Sequence, residues 1–375
     1  MRTSADKIPL IRPYVDESVK QRVLEVLDSG FLTEGNVTRQ FEEKVKNYVG
    51  AKYAIAVNSC TTGLELALRA LEVGPGDEVI VPDYTYPATA NVVSIVGATP
   101  VLVDVSRDTM LISYDMLEQA ITENTKAIIP VSLFGNPLDY DRLNEIKRRY
   151  GLSIIEDAAC AIGASYKGSM VGSLADITVF SFHPRKFITT GEGGMITTDN
   201  EQWAQWMASY KHFGIISGKS SRSEVLFQLP GTNYKLSDVL AAIGLSQMEI
   251  IDELLSRRRE LAYNYISLLS SLSEVSLPQT TVGGLHSYQS FCIYVPKRDK
   301  IMKQMMDAGI QTQIGTYSLH MQPAFAGAIS CRKYPPFSGS ELAFGKSLVL
   351  PLYHGLNDEH QAHVVAKLQE FLRDS

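Results

Sequence analysis

Through the first two thirds of the chain, short apolar runs alternate with stretches in which apolar residues recur every three or four positions. The runs at Tyr53–Val57, Glu78–Val81, Thr99–Val103, Ala127–Val131, Ser153–Glu156, Ile177–Phe182 and Met195–Thr198 predict strands. Several, such as AIIPV and SIIE, are continuous, which suits a sheet covered on both faces. Helical spacing lies between them at Gly63–Leu71, Ala88–Val96, Tyr114–Ile121 and Asp139–Tyr150. This alternation predicts βαβ units, hence an α/β fold with a mostly parallel sheet. From Ser237, an N-cap by residue type, the apolar spacing predicts one long helix connecting two domains. Beyond it, Ser290–Val295 predicts a strand, Lys300–Ala308 a helix and Glu359–Leu372 a closing amphipathic helix. The expected division is a large domain over 1–250, whose first segment is free to pack against the other, and a small C-terminal α/β domain over 251–375. The polar, glycine-punctuated segment from Gly214 to Thr232 predicts a mobile loop.

A length of 375 residues agrees with that division. The 35 Lys and Arg against 41 Asp and Glu give a net charge of -6, with no basic excess to meet a nucleic-acid backbone. No apolar stretch approaches the ~20 residues of a membrane span. The N-terminus, interrupted by Asp6, Pro9 and Pro13, lacks a signal-peptide core. Cys60, Cys160, Cys292 and Cys331 stand far apart, without CxxC spacing, and read as reduced thiols. His360 and His363 have neither an HExxH pattern nor companion cysteines, so no metal is expected. These features together predict a cytoplasmic protein.

Three segments could carry chemistry. Asn58-Ser59-Cys60-Thr61-Thr62-Gly63 follows one predicted strand and opens a predicted helix. It reads either as an anion site at a helix N-terminus or as an ordinary cap. It is not a dinucleotide fingerprint, and the nearest such match, GPGDEV at Gly74, leads into a strand instead of a helix. Asp157, in IIEDAACAIGA, stands at a strand's carboxyl end, where open α/β sheets bind ligands. It reads either as a carboxylate for a cationic ring nitrogen or as a helix cap. The third segment, SFHPRKFITTGEGG, begins at Ser181 and carries Lys186. An enclosed lysine can have its pKa lowered and become a nucleophile toward an aldehyde cofactor; alone, it reads equally as a surface charge. Gly191, Gly193 and Gly194 permit a tight turn behind it. A phosphate cradle, a ring-nitrogen carboxylate and a Schiff-base lysine, each at a strand end, are the equipment that pyridoxal phosphate requires.

With these blocks the sequence resembles the DegT/DnrJ/EryC1/StrS sugar aminotransferases, within the fold type I superfamily of pyridoxal-phosphate enzymes. The resemblance runs from GFLTEGNVTRQFEEKVKNYVGAKYAIAVNSCTTGLELAL through VGPGDEVIVPDYTYPATANVV, IIEDAACAIGA and FSFHPRKFITTGEGGMITTD to GTNYKLSDVLAAIGLSQ, LHMQPAF and SLVLPLYHGL. It implies a seven-stranded, mostly parallel sheet covered by helices, plus the smaller C-terminal domain.

The resemblance implies that Lys186 holds pyridoxal phosphate as an aldimine and later shuttles a proton. Asp157 would keep the pyridine nitrogen protonated. Thr61 and Thr62, with Ser181, would cradle the phosphate. Tyr86 would stack on the ring, its alternative being core packing. Cys160 stands where many members carry glutamine or histidine near the phenolic oxygen, and a thiol is a weaker donor. Asn233 would reach the phosphate from a neighbouring subunit, making a homodimer with a shared site. Tyr317 and His320 would approach the sugar, with a structural histidine as the alternative for His320. His183 is expected to be structural. The implied reaction moves an amino group from L-glutamate, through pyridoxamine phosphate, to a keto-sugar, in this family usually nucleotide-linked. Products of the family commonly feed surface polysaccharides. Two rivals remain: a sugar dehydratase, in which histidine replaces the lysine, and a non-catalytic cofactor-binding relative.

Overall fold

The computed structural model describes residues 7–215, 225–327 and 331–373. Its main sheet has eight strands, in the order Tyr53–Val57, Gly194–Thr198, Ile177–Ser181, Ser153–Asp157, Thr125–Ile128, Glu78–Pro82, Thr99–Val103 and Arg332–Tyr334. Only Gly194–Thr198 runs against its neighbours; the other pairings between adjacent strands are parallel. The fold is therefore the α/β architecture expected, with one strand more. That strand, Arg332–Tyr334, pairs with Thr99–Val103 at the edge. Its three residues, RKY, are half-buried and carry no apolar run, so no hydrophobic signal announces it.

Successive residues of a strand point to opposite faces, and both faces here are covered. Ile128 and Ile154 enter the core around Phe41, Phe180 and Met195. Ala127 and Ile155 enter the core around Leu64, Leu68 and Val179 on the other side. The same alternation sends neighbouring carboxylates apart. Glu156 points toward Ser132, Tyr140 and Thr178, while Asp157 points toward Thr89 and the start of helix Cys60–Ala70.

Several helices open on polar caps, among them the expected Ser237. Ser59, Ser113, Asp139 and Ser237 each accept an N–H from the first turn that follows. Two N-terminal helices, Glu17–Ser29 and Asn36–Val49, precede the first strand. Asp238 ties the second of these down: its carboxylate accepts from the N–H groups of Gly35, Val37 and Thr38 and from the Thr38 hydroxyl.

The long helix expected from Ser237 is two helices, Asp238–Glu249 and Ile251–Leu269. The break is at Ile250, whose φ of -119° and ψ of 21° leave the helical region. The first helix is buried against the two N-terminal helices. The second contributes Leu261, Tyr265 and Leu269 to a separate core with Phe291, Ile293, Leu348 and Leu368. That core backs a three-stranded antiparallel sheet of Phe291–Tyr294, Ser347–Leu350 and Gln313–Ile314. Ile8 joins it and bridges to Ile310.

Of the loop expected over Gly214–Thr232, residues 216–224 lie outside the described residues. No described helix is long and apolar enough to cross a membrane. Among the described residues no group of His, Cys, Asp and Glu is arranged to hold a metal.

Candidate active site

The ends of the strands Tyr53–Val57, Ser153–Asp157 and Ile177–Ser181 open onto a cavity of about 630 Å³, a size typical of small-molecule sites. Thr61, Tyr86, Asp157, Cys160, Ser181, Lys186 and Tyr317 all line it. Thr62, Asn233 and His320 do not belong to its lining.

Helix Cys60–Ala70 begins at the cavity wall. Its cap uses the Thr62 N–H, which donates to Ser59 Oγ at 3.1 Å, and the Thr62 hydroxyl, which donates to Asn58 Oδ1 at 2.7 Å. Both donors of Thr62 are therefore committed inside the cap. The N–H groups of Cys60 and Thr61, in the first turn, have no intrahelical acceptor and remain for an anion. Strand Gly194–Thr198 passes close behind them: a Cβ at Gly194 would stand 2.7 Å from Cys60 N and Ser59 C. Only glycine lets the backbone approach so near.

Asp157 is buried at its strand end. No helix follows it, so the helix-cap alternative fails. Its Oδ1 accepts from the Ala159 N–H at 3.1 Å and its Oδ2 from the Thr89 hydroxyl at 2.8 Å. Burial raises its pKa, opposed by the Thr89 and Ala159 hydrogen bonds and by Lys186.

The segment carrying Lys186 is held at several points. Phe182 N–H donates to Gly193 O, and Thr190 N–H returns to Phe182 O. Thr189 N–H donates to Gln247 Oε1. Phe182, Phe187 and Ile188 are buried, and Gly191 turns the chain at a φ of 87°. Lys186 Nζ emerges from this frame and donates to Cys160 Sγ at 3.1 Å. The expected downward shift of the lysine pKa is not what the site produces. Burial does pull it down, but Cys160, Cys60 and Asp157 outweigh burial and hold it above the ordinary lysine value.

Tyr86 is 66% exposed, which excludes core packing. The pairing of Tyr84–Thr85 with Tyr317–Ser318 brings Tyr86 and Tyr317 to one side of the cavity, with ring centroids 6.4 Å apart. His320 turns away from the cavity. Its Nδ1 lies 2.8 Å from Oδ2 of the fully buried Asp83, and its ring stacks on Phe337 at 4.4 Å. Asn233 is exposed, and its Oδ1 accepts from Lys235 Nζ at 2.7 Å. His183 is exposed too, its Nδ1 accepting from the Arg185 N–H.

Two residues outside the cavity lining had no sequence signal of their own. Thr89, in YPATAN, reads as a helix residue, yet its hydroxyl braces Asp157. Arg258, in the charge run SRRRE, reads as a solvated face. It is buried, donates to the carbonyls of Tyr288, Gln289 and Leu352, and lies 5.6 Å over the Phe187 ring. Burial brings its pKa down to about 9.

The donor set fits pyridoxal phosphate. A primary amine and a buried carboxylate face one cavity, and free N–H groups stand where a glycine leaves no Cβ. Comparison with known proteins agrees. An uncharacterized protein of Methanocaldococcus jannaschii is 35% identical over 380 residues, covering 98% of both chains. A putative sugar aminotransferase from Streptococcus pneumoniae superposes in its PMP-form and PLP-form with TM-scores of 0.92 and 0.91, at 32% identity, over 98% of this chain and 99% of that one. Helicobacter pylori PseC, an aminotransferase involved in pseudoaminic acid biosynthesis, gives a TM-score of 0.92 at 26% identity over 98% of this chain and 100% of its own. Residues 13–369 match the DegT/DnrJ/EryC1/StrS aminotransferase family, and the chain belongs to it.

Proposed function

We propose that this chain, a sugar aminotransferase dependent on pyridoxal phosphate, takes the amino group of L-glutamate and delivers it to a nucleotide-linked keto-deoxysugar. The amino-sugar formed would serve surface-polysaccharide synthesis. The observation that carries the reading is that Lys186 Nζ and the buried Asp157 carboxylate face one cavity.

When bound, the cofactor supplies an electron-accepting ring for charge released at the carbon that bears the amino group. Asp157 holds the proton on the ring nitrogen, and Thr89 fixes the carboxylate for that task. The N–H groups of Cys60 and Thr61, with the Ser181 hydroxyl, bind the phosphate. Lys186 would be the covalent attachment point, and its free Nζ would be the base that holds or moves a proton beside the donor carbon. Cys160, in contact with that amine, tunes it. Tyr86 covers the ring. Tyr317 contacts the sugar, and His320, clamped by Asp83, holds the Tyr317 segment in place. Asn233 reaches the phosphate of a second copy, so that a homodimer completes each site. The large domain over 1–250 carries the cofactor, and 251–375 closes the substrate side.

The test is to incubate the enzyme with L-glutamate and a panel of free and nucleotide-linked keto-sugars and to identify products by mass. Amination of a nucleotide-linked acceptor with release of 2-oxoglutarate supports the reading. Amination from another donor only, or of no sugar, overturns it.

A further inference from the structure

Cys160 and Lys186 present a thiol and an amine to each other across the cavity, Sγ to Nζ at 3.1 Å. Both backbones are pinned. Cys160 sits in a turn in which the N–H of Ala161 donates to the carbonyl of Ala158, and the N–H of Lys186 donates to the carbonyl of His183. Both side chains line the cavity, so a small oxidant admitted to it reaches the sulfur. The separation is that of reacting atoms held ready.

We propose that Cys160 and Lys186 are an oxidative modification site, at which peroxide joins the two side chains through a reversible sulfur–nitrogen bond whenever the amine is not engaged by the cofactor. Peroxide removes two electrons from the Cys160 sulfur; one peroxide oxygen becomes the sulfenic hydroxyl and the other leaves as water. The lone pair on Lys186 Nζ then attacks the sulfur. The S–O bond breaks, and the hydroxyl leaves with the amine proton as a second water. Two equivalents of a small thiol reverse the link, returning thiol and amine and leaving a small disulfide.

The surroundings favour this order of events. Peroxide meets the Cys160 sulfur on the cavity wall, beside the Lys186 amine. Once the sulfur is oxidised, it no longer holds the proton on Lys186, and burial, the largest influence on that amine, favours the neutral nucleophile. Cys60 lies on the same wall but is the wrong thiol. Burial, then Asp157, push its pKa well up and keep it protonated. The consequence is a reversible block on cofactor attachment. It would operate in cofactor-free protein and in the half of the catalytic cycle that leaves Lys186 free.

The test treats cofactor-free and cofactor-loaded protein with hydrogen peroxide and maps the peptides by mass. In the cofactor-free protein the peptides bearing Cys160 and Lys186 are expected as one linked species, lighter by two hydrogens than their sum. Cofactor uptake, read by absorbance, is lost with the link and returns with dithiothreitol. Loaded protein is protected, Cys160→Ser forms no link, and Cys60→Ser forms it as the parent does. Cys160 oxidised to the sulfinic acid beside a free Lys186, or a Cys60–Cys160 disulfide, would overturn the proposal. The cofactor-free arm needs no transamination. A failed link therefore leaves the proposed function standing, and absent turnover leaves the link measurable.

Discussion

Thr89 Oγ donates to Asp157 Oδ2 at 2.8 Å, and the Thr89 hydroxyl lies 3.0 Å from that of Thr85. The carboxylate assigned to the ring nitrogen is thus braced from the side by a helix residue. Removing one partner of a buried charged hydrogen bond costs about 1–3 kcal/mol, roughly five- to 150-fold in rate. Thr89→Val is expected to lower kcat/KM by that factor and to weaken cofactor binding, while Thr89→Ser retains both. A Val variant with unchanged pH profile and cofactor spectrum would leave Thr89 a packing residue.

Gly194→Ala tests the phosphate cradle. The new Cβ meets the backbone of Ser59 and Cys60 at 2.7 Å, and backbone cannot swing aside as a side-chain tip can. The variant should lose cofactor affinity by an order of magnitude or more, measured by equilibrium dialysis. Unchanged affinity would place the phosphate elsewhere.

Glu156 predicts a pH dependence of stability. Burial raises its pKa from 4.5 to about 7, opposed by its hydrogen bonds to Ser132, Tyr140 and Thr178. The folded protein thus holds the proton more tightly than the unfolded chain. The stabilisation is fully present below about pH 4.5 and is lost as pH rises through about 7; its size is on the order of 3 kcal/mol. Urea denaturation across this range should show Glu156→Gln falling less steeply than the parent. Parallel curves would mean that the carboxyl is ionised throughout.

Asn233 predicts complementation between subunits. Lys186→Ala and Asn233→Ala should each be impaired alone. Mixed as a heterodimer, they should regain activity, because one of the two sites then has both residues intact. Recovery no greater than the sum of the parents would argue that Asn233 serves its own chain.

Much of this arrangement was legible in the sequence. The runs AIIPV and SIIE announced strands because both faces of the sheet are buried, so polar alternation disappears. Asp157 and Lys186 stood out because their residue types recur at strand ends, where α/β sheets bind ligands. Other features left no trace. Arg332–Tyr334 joins the sheet through backbone pairing at an edge, which its polar side chains do not encode. The break at Ile250 interrupts no apolar spacing and involves neither glycine nor proline. Thr62, a cradle residue by type, spends its donors on the cap. The contact between Cys160 and Lys186 joins positions 26 residues apart and exists only once the fold has formed.

On the proposed function, the ε-amine of Lys186 captures the cofactor aldehyde opposite Asp157. Reducing the cofactor-loaded enzyme with borohydride and mapping its peptides tests this directly. A stable pyridoxyl label is expected on Lys186 alone, absent from Lys186→Ala. A label on another lysine, or none, would contradict it.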